Sequence, residues 1–159
     1  MKLASLLTPD QVILDLEAEV CVEAINGILD HLIAKDLLAA DMRQEVFDAL
    51  YEREQQISTG IGYGVAIPHA FSESIDRVIA CFARSKEGVE FESIDHAPVN
   101  FIVLFIVPQK DYNMHLQTLA AIAKMFNNCE VRQRLGEAPS IEEVLDIFAS
   151  RPSRTHCEQ

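Results

Sequence analysis

The run Val99–Val107 constrains this chain more than any other segment: nine residues, apolar at every position except Asn100. It is about half the ~20 residues that a membrane-spanning helix requires. As a strand it is apolar on both faces, so both must be covered, as in the interior strands of an α/β sheet. Val78–Ala83 reads the same way. A chain of 159 residues with 49% hydrophobic content can supply that cover within one domain. It would bury roughly 70% of its unfolded surface without disulfide or metal staples. Charged residues make up 24%, close to the globular average, which argues against extended disorder. Residues 1–150 are expected to form one unit, and residues 151–159, which have no apolar face, a loose tail.

Other elements follow from periodicity and capping. A short strand is expected at Val12–Leu14. Cys21, Ala24, Ile25, Ile28 and Leu32 fall at helical spacing, which predicts an amphipathic helix over Val20–Leu32; Gly27 inside it costs about 1 kcal/mol relative to Ala. A second helix is expected to start at Asp41, with Gln44 completing a capping box, and to bury Val46, Phe47 and Leu50 before ending near Glu54. Ser58–Gly64 holds three of the chain's six glycines and reads as an irregular loop. Val65–Ile67 reads as a strand stopped by Pro68. Leu116, Leu119, Ala120 and Ala123 mark a further helix, capped by Asp111 or Asn113. Ser140 and Glu143 form a capping box for a last helix that buries Ile141, Val144, Leu145 and Phe148.

Charge excludes several functions. Thirteen Lys and Arg against 25 Asp and Glu give a net charge of −12, which disfavours nucleic acid and anionic membrane surfaces and favours a basic partner. Residues 1–60 hold 12 acids and 4 bases, a net of −8. Cys21, Cys81, Cys129 and Cys157 make no Cys-x-x-Cys pair, so free thiols in a reducing compartment are expected. The opening Met1–Leu7 is cut short by Pro9 and Asp10 and does not read as a secretion signal. A cytoplasmic protein without membrane insertion is the expectation.

The chemistry concentrates at Gly60–His69. A glycine-rich loop can turn backbone N–H groups toward a phosphate, but this one lacks both the dinucleotide fingerprint and the Gly-Lys-Ser/Thr ending of a triphosphate loop, so a bare turn remains open. His69 follows Pro68 at a strand end, where a rigid scaffold can aim a side chain toward solvent. His115 falls in the first turn of a helix, a position that favours anions. Arg53 ends the second helix just before the glycines. Each also has a plain structural reading: a packed histidine, a helix-start histidine, and a surface arginine paired with Glu52 or Glu54. A metal site built from His69, His115 and His96 beside Asp95 competes, although neither His69 nor His115 has a histidine or cysteine at the i+3 or i+4 spacing typical of zinc motifs. No cysteine falls in the segment to serve as a nucleophile.

Ser58-Thr59-Gly60-Ile61-Gly62-Tyr63-Gly64-Val65-Ala66-Ile67-Pro68-His69 resembles the signature of enzyme IIA domains of the bacterial phosphoenolpyruvate-dependent phosphotransferase system, in their type 2 branch (fructose, mannitol and nitrogen-regulatory). Glu52-Arg53-Glu54, Val107-Pro108 and His115-Leu116 with Leu119 extend the resemblance over residues 1–150. It implies an α/β fold, a mixed central β-sheet with helices on both faces. It further implies His69 as phosphoacceptor, His115 as auxiliary histidine and Arg53 as an active-site arginine, with Ser58, Thr59, Gly60, Gly62 and Gly64 around the phosphate. No metal or other cofactor is called for. The implied donor is a histidine-phosphorylated carrier protein (HPr-like). Ala70 and Phe71 stand where a Gly and a basic residue are common, which bears on partner preference; Phe71 reads either as an interface residue or as a buried strand-end aromatic.

The reading that results is a free-standing enzyme IIA phosphorylated on His69, a nitrogen-regulatory type regulator acting on a target protein. The absence of IIB or IIC segments leans that way. The alternatives are a fructose/mannitol-type subunit that passes phosphate to a IIB subunit, a non-phosphorylated binding module of the same fold, and, least favoured, a metal hydrolase.

Overall fold

The computed structural model describes residues 7–56, 60–91 and 97–149. Its strands are β1 (Val12–Ile13), β2 (Gly60–Gly62), β3 (Val65–Ala66), β4 (His69–Ser72), β5 (Ile79–Val89) and β6 (Val99–Pro108). They form one sheet in the order β1-β5-β6-β3-β2, with β4 also paired to β6. Strand β6, built on the long apolar run, is the axis. It pairs antiparallel with β5 on one side and parallel with β3 and then β4 on the other. With β1 parallel to β5, the sheet is mixed, as the resemblance implied.

Both faces are covered. Helices α1 (Cys21–Ala34) and α2 (Arg43–Gln56) lie on one; α3 (Tyr112–Phe126), α4 (Cys129–Glu137) and α5 (Ile141–Ala149) lie on the other. Alternation along β6 divides the core. Ile102, Leu104 and Ile106 point to α1 and α2, while Phe101, Val103, Phe105 and Val107 point to α3, α4 and α5. Every residue of β6 except Asn100 is buried, as expected for a strand apolar on both faces.

The structure departs from the expectations at identifiable places. Asp41 lies inside a 3₁₀ turn, Ala40–Met42, whose cap position is Ala39. Gln44 Nε2 donates to Asp48 Oδ1 at 2.9 Å, so the expected capping box does not form. Asp111 occupies the α3 cap position without a side-chain bond. For α5, the Ser140 hydroxyl accepts from Glu143 N at 3.3 Å. Helix α4 went unforeseen because it buries only Val131 and Leu135; its start is set by Asn128, whose Oδ1 accepts from Glu130 N at 2.9 Å and Val131 N at 3.4 Å. Strand β5 runs past Ala83 through polar residues to Val89, with a register shift between Arg84 and Val89. Cys21 and Cys81 are free thiols, which burial first and, for Cys21, Glu54 push up to about 12. Cys129 is disulfide-bonded, against the expectation of free thiols, because sequence spacing reveals only local pairs. Cys157 and the expected tail lie outside the described residues. No helix among the described residues is long and apolar enough to cross a membrane.

Arg84 ties the layers together. It is 5% exposed, and its guanidinium donates to Leu14 O at 3.0 Å, Leu135 O at 2.9 Å and Ala138 O at 2.7 Å. The last two oxygens belong to the C-terminal end of α4, where a cation is favoured by the helix dipole. Replacing Arg84 with Met should strip three carbonyls of a charged donor and lower stability by about 3–5 kcal/mol. Urea denaturation checks this; a loss below about 1 kcal/mol contradicts it.

Candidate functional site

The segment from the glycines to His69 is a hairpin that feeds a strand. Gly62 pairs with Val65 across a two-residue turn in which Tyr63 has φ 58° and Gly64 φ 76°, the left-handed pair that a tight hairpin turn needs. A Cβ on Gly64 would stand 3.0 Å from Asn100 Oδ1, and Gly64 O accepts from Asn100 N at 2.8 Å and Phe101 N at 2.9 Å. The expected irregular loop is, from Gly60 on, strand β2 and a tight turn, because Gly64 lets the chain close onto the start of β6, and the strand expected at Val65–Ile67 is β3. Over the exposed ring of Tyr63 lies the Arg132 guanidinium, 4.4 Å from the ring centroid.

Beyond the turn the chain tracks β6 in unbroken register. Val65 pairs with Phe101, Ala66 with Ile102 and His69 with Phe105. Pro68 lacks an N–H, but its carbonyl accepts from Phe105 N at 2.9 Å, so the proline removes one donor without shifting the ladder. Ala70 points into the α1/α2 core, which sends His69 and Phe71 to the opposite face, where Phe71 packs on the α3–α5 core. The Phe71 ring meets the His69 ring edge-on, centroids 6.2 Å apart at 81°. Phe71 is half-buried, so the buried strand-end reading holds for only part of the ring.

His69 is itself half-buried, and its Nδ1 lies 2.9 Å from Ile67 O. A carbonyl can only accept, so Nδ1 carries the proton and Nε2 of the neutral ring keeps a lone pair. Burial lowers the proton affinity of the ring, the Ile67 bond raises it in part, and the charge of Arg53 lowers it again; the net is below the usual histidine value of 6.5. A neutral imidazole with a free Nε2 is the form of a nitrogen nucleophile. Ile67 was missed as a contributor, although a residue before proline is held extended and so carries its carbonyl in a fixed direction.

Two other expected groups have definite places. Arg53 sits in the last turn of α2, on the stripe it shares with Val46 and Leu50 at i, i+4, i+7 spacing, and its charge reaches His69. His115 lies on α3, which packs on the His69 face of the sheet. It is 2% exposed, and its Nδ1 has no hydrogen-bond partner among the described residues. An unsatisfied buried nitrogen costs about 1–3 kcal/mol, and here it stands near a helix N-terminus, a setting for anions. Leu116 beside it is exposed.

Of the five residues expected around a phosphate, Ser58 and Thr59 lie outside the described residues. Gly60 pairs with Ala66, three residues before His69. Gly62 and Gly64 sit at the far end of the hairpin: Val65, just past the turn, is level with Phe101 and His69 with Phe105, which puts Gly64 roughly 17 Å from His69 along the strand, so the structure does not bring these two to His69. His96 and Asp95 lie outside the described residues. Among the described residues, no three His, Cys, Asp or Glu side chains gather as a metal site requires.

Residues 5–151 match the sequence family described as phosphoenolpyruvate-dependent sugar phosphotransferase system, EIIA 2. A relative from Haloferax volcanii, the PTS system fructose-specific EIIA component, is 37% identical over 126 residues, 79% of this chain and 80% of that protein. The crystal structure of the nitrogen regulatory protein IIA-Ntr from Neisseria meningitidis aligns with a TM-score of 0.83 at 30% identity, over 91% of this chain and 97% of that one. Mannitol enzyme IIA from Escherichia coli, solved in complex with phosphorylated enzyme IIB, gives 0.74 at 21% identity, over 91% and 98%, a likeness of fold.

The electrostatics of His69 are directly testable. Its ring should titrate below pH 6.5 by NMR, so the neutral form predominates above that pH and is lost as pH falls through the lowered midpoint. Arg53→Ala removes a positive neighbour and should raise the midpoint. A parent midpoint at or above 6.5, or one unmoved by Arg53→Ala, contradicts the geometry described.

Proposed function

This chain belongs to the EIIA 2 family of the phosphoenolpyruvate-dependent sugar phosphotransferase system, whose members are phosphoryl carriers, and on that premise we propose that it takes a phosphoryl group onto Nε2 of His69. The donor is a histidine-phosphorylated carrier protein of the HPr type. The observation that carries the proposal is the Nδ1–H bond to Ile67 O, which leaves Nε2 as the available nucleophile. Its lone pair attacks phosphorus in line; the new N–P bond forms as the donor's N–P bond breaks, and that electron pair returns to the donor ring. No proton has to leave Nε2. Bonds of one kind are exchanged, so catalysis needs alignment and charge neutralisation rather than a strong base.

Arg53 and His115 supply that neutralisation. The guanidinium offers planar donors to phosphoryl oxygens, and Nδ1 of His115, buried without a partner among the described residues, would donate to them in its Nδ1-protonated form. Gly60, with Ser58 and Thr59 on the strength of the sequence signature, would add contacts to the group; Gly62 and Gly64 build the turn. The accepting unit is taken as residues 1–150, with 151–159 as a tail, and the exchange places it in the cytoplasm with its donor. Incubation with phosphoenolpyruvate, enzyme I and the carrier should give acid-labile, alkali-stable label on His69 and none on His69→Ala. His115→Ala should still bind the carrier but exchange about a hundredfold more slowly. Full labelling of His69→Ala removes the assignment, and an unchanged rate removes His115 from it.

For the next step we propose a nitrogen-regulatory role, in which phosphorylation governs binding to a target protein. The alignment with IIA-Ntr from Neisseria meningitidis, 0.83 in TM-score, supports this reading. A second reading, a sugar-transport subunit, is favoured by the 37% identity to the fructose-specific relative. The phosphorylated protein offered a fructose- or mannitol-type IIB decides between them. Retention of the label supports the regulatory role, and rapid transfer to IIB replaces it with the transport role.

A further inference from the structure

Helix α2 and strand β4 carry Arg53 and His69, and the same two elements are tied a second time at their other ends. Glu45, near the start of α2, accepts through Oε1 from Ser72 Oγ at 3.2 Å and Ser74 Oγ at 3.0 Å. Ser72 Oγ in turn accepts from Ser74 N at 3.1 Å. Ser72 is 6% exposed, so its hydroxyl proton is satisfied by the carboxylate rather than by bulk water. Hydrogen bonds to a carboxylate are charge-assisted and stronger than neutral ones.

The spacings of the two ties agree. Glu45 and Arg53 are separated by eight positions of α2, roughly 12 Å along a helix. His69 and Ser72 are separated by three positions of β4, roughly 10 Å along a strand. The helix therefore runs counter to the strand, with Glu45 held at Ser72 and Arg53 directed toward His69. Arg43 fixes the same end of α2 to α1 through Asp30 at 2.8 Å and Asn26 at 2.9 Å, and those bonds refer the helix to its neighbour helix. Glu45 refers it to the strand that bears the histidine.

We propose that Glu45 is a positioning residue for phosphoryl transfer. Its clasp on Ser72 and Ser74 sets how far α2 slides along β4, and so where the Arg53 guanidinium stands relative to the group on His69. The kinetic part of this inference rests on the phosphoryl-acceptor reading; the geometric part does not. A slide of about 1 Å at a reacting centre can cost up to a hundredfold in rate.

Two variants test it, and Glu45 is exposed, so neither disturbs the core. In Glu45→Ala the clasp is lost; in Glu45→Gln a carbonyl acceptor remains. The readouts are the NMR titration midpoint of His69 and the rate of phosphoryl uptake from the carrier. Deleting a negative charge by itself lowers the proton affinity of a nearby imidazole, whereas moving Arg53 away raises it. The sign therefore separates a positioning role from a simple charge effect. Glu45→Ala should move the midpoint up and slow uptake about tenfold or more, while Glu45→Gln keeps uptake near the parent rate. A Glu45→Ala midpoint that falls or stays in place overturns the proposal. If the midpoint rises but neither parent nor variants take up phosphate, the clasp stands and the phosphoryl reading falls.

Discussion

The carbonyl oxygen of Ile67 is the constraint on which the site depends. Proline at 68 holds the residue before it extended, so the direction of that carbonyl is set by covalent geometry before any side chain packs. Once Ile67 O accepts the hydrogen bond from Nδ1–H of His69, tautomer, ring orientation and the exit direction of Nε2 are fixed together. Burial and the charge of Arg53 then act on a ring whose nitrogens are already distinguished. A freely turning imidazole would present either nitrogen and would gain little from the same surroundings.

The two faces of the sheet do different work. On the α1/α2 side the core is mainly aliphatic, with Ile25, Ile28, Leu29, Leu32 and Leu50 against Ile102, Leu104 and Ile106. On the other side Phe82, Phe101, Phe126 and Phe148 form a chain of ring contacts, centroids 5.4–6.4 Å apart, with edge-on and offset geometries that rings prefer. His69 and His115 both belong to this aromatic side, while Arg53 comes from the aliphatic side. The site is thus assembled from both layers, and the polar ties between α2 and β4 join what the sheet separates.

Much of this was legible in the sequence because it rests on strong local patterns. The run Val99–Val107 required a doubly covered strand. The apolar spacing of α1, α3 and α5 gave their existence, and the glycine–proline–histidine order gave the position of His69. What was not legible depends on pairing across long separations. Arg84 reads as a strand-end charge until Leu14, Leu135 and Ala138 are seen to surround it. Helix α4 has too thin an apolar stripe to announce itself, and Gln44 has two partners in reach, of which Asp48 won. The glycine segment was read as irregular because its turn borrows Asn100 and Phe101 from a distant strand. Helix α4 and Gln44 apart, the missing information was which residue a polar group would meet far along the chain.

The register of β3 and β4 on β6 carries a consequence for how such a site can change. Side chains alternate along a strand, so a shift of one residue between Gly64 and His69 would not nudge the imidazole but exchange it with Ala70. The ring would then face Ile102, Leu104 and Ile106, away from His115. Substitutions in this stretch can grade the site, but single insertions or deletions switch it off. The distance from turn to histidine is governed by parity rather than by length.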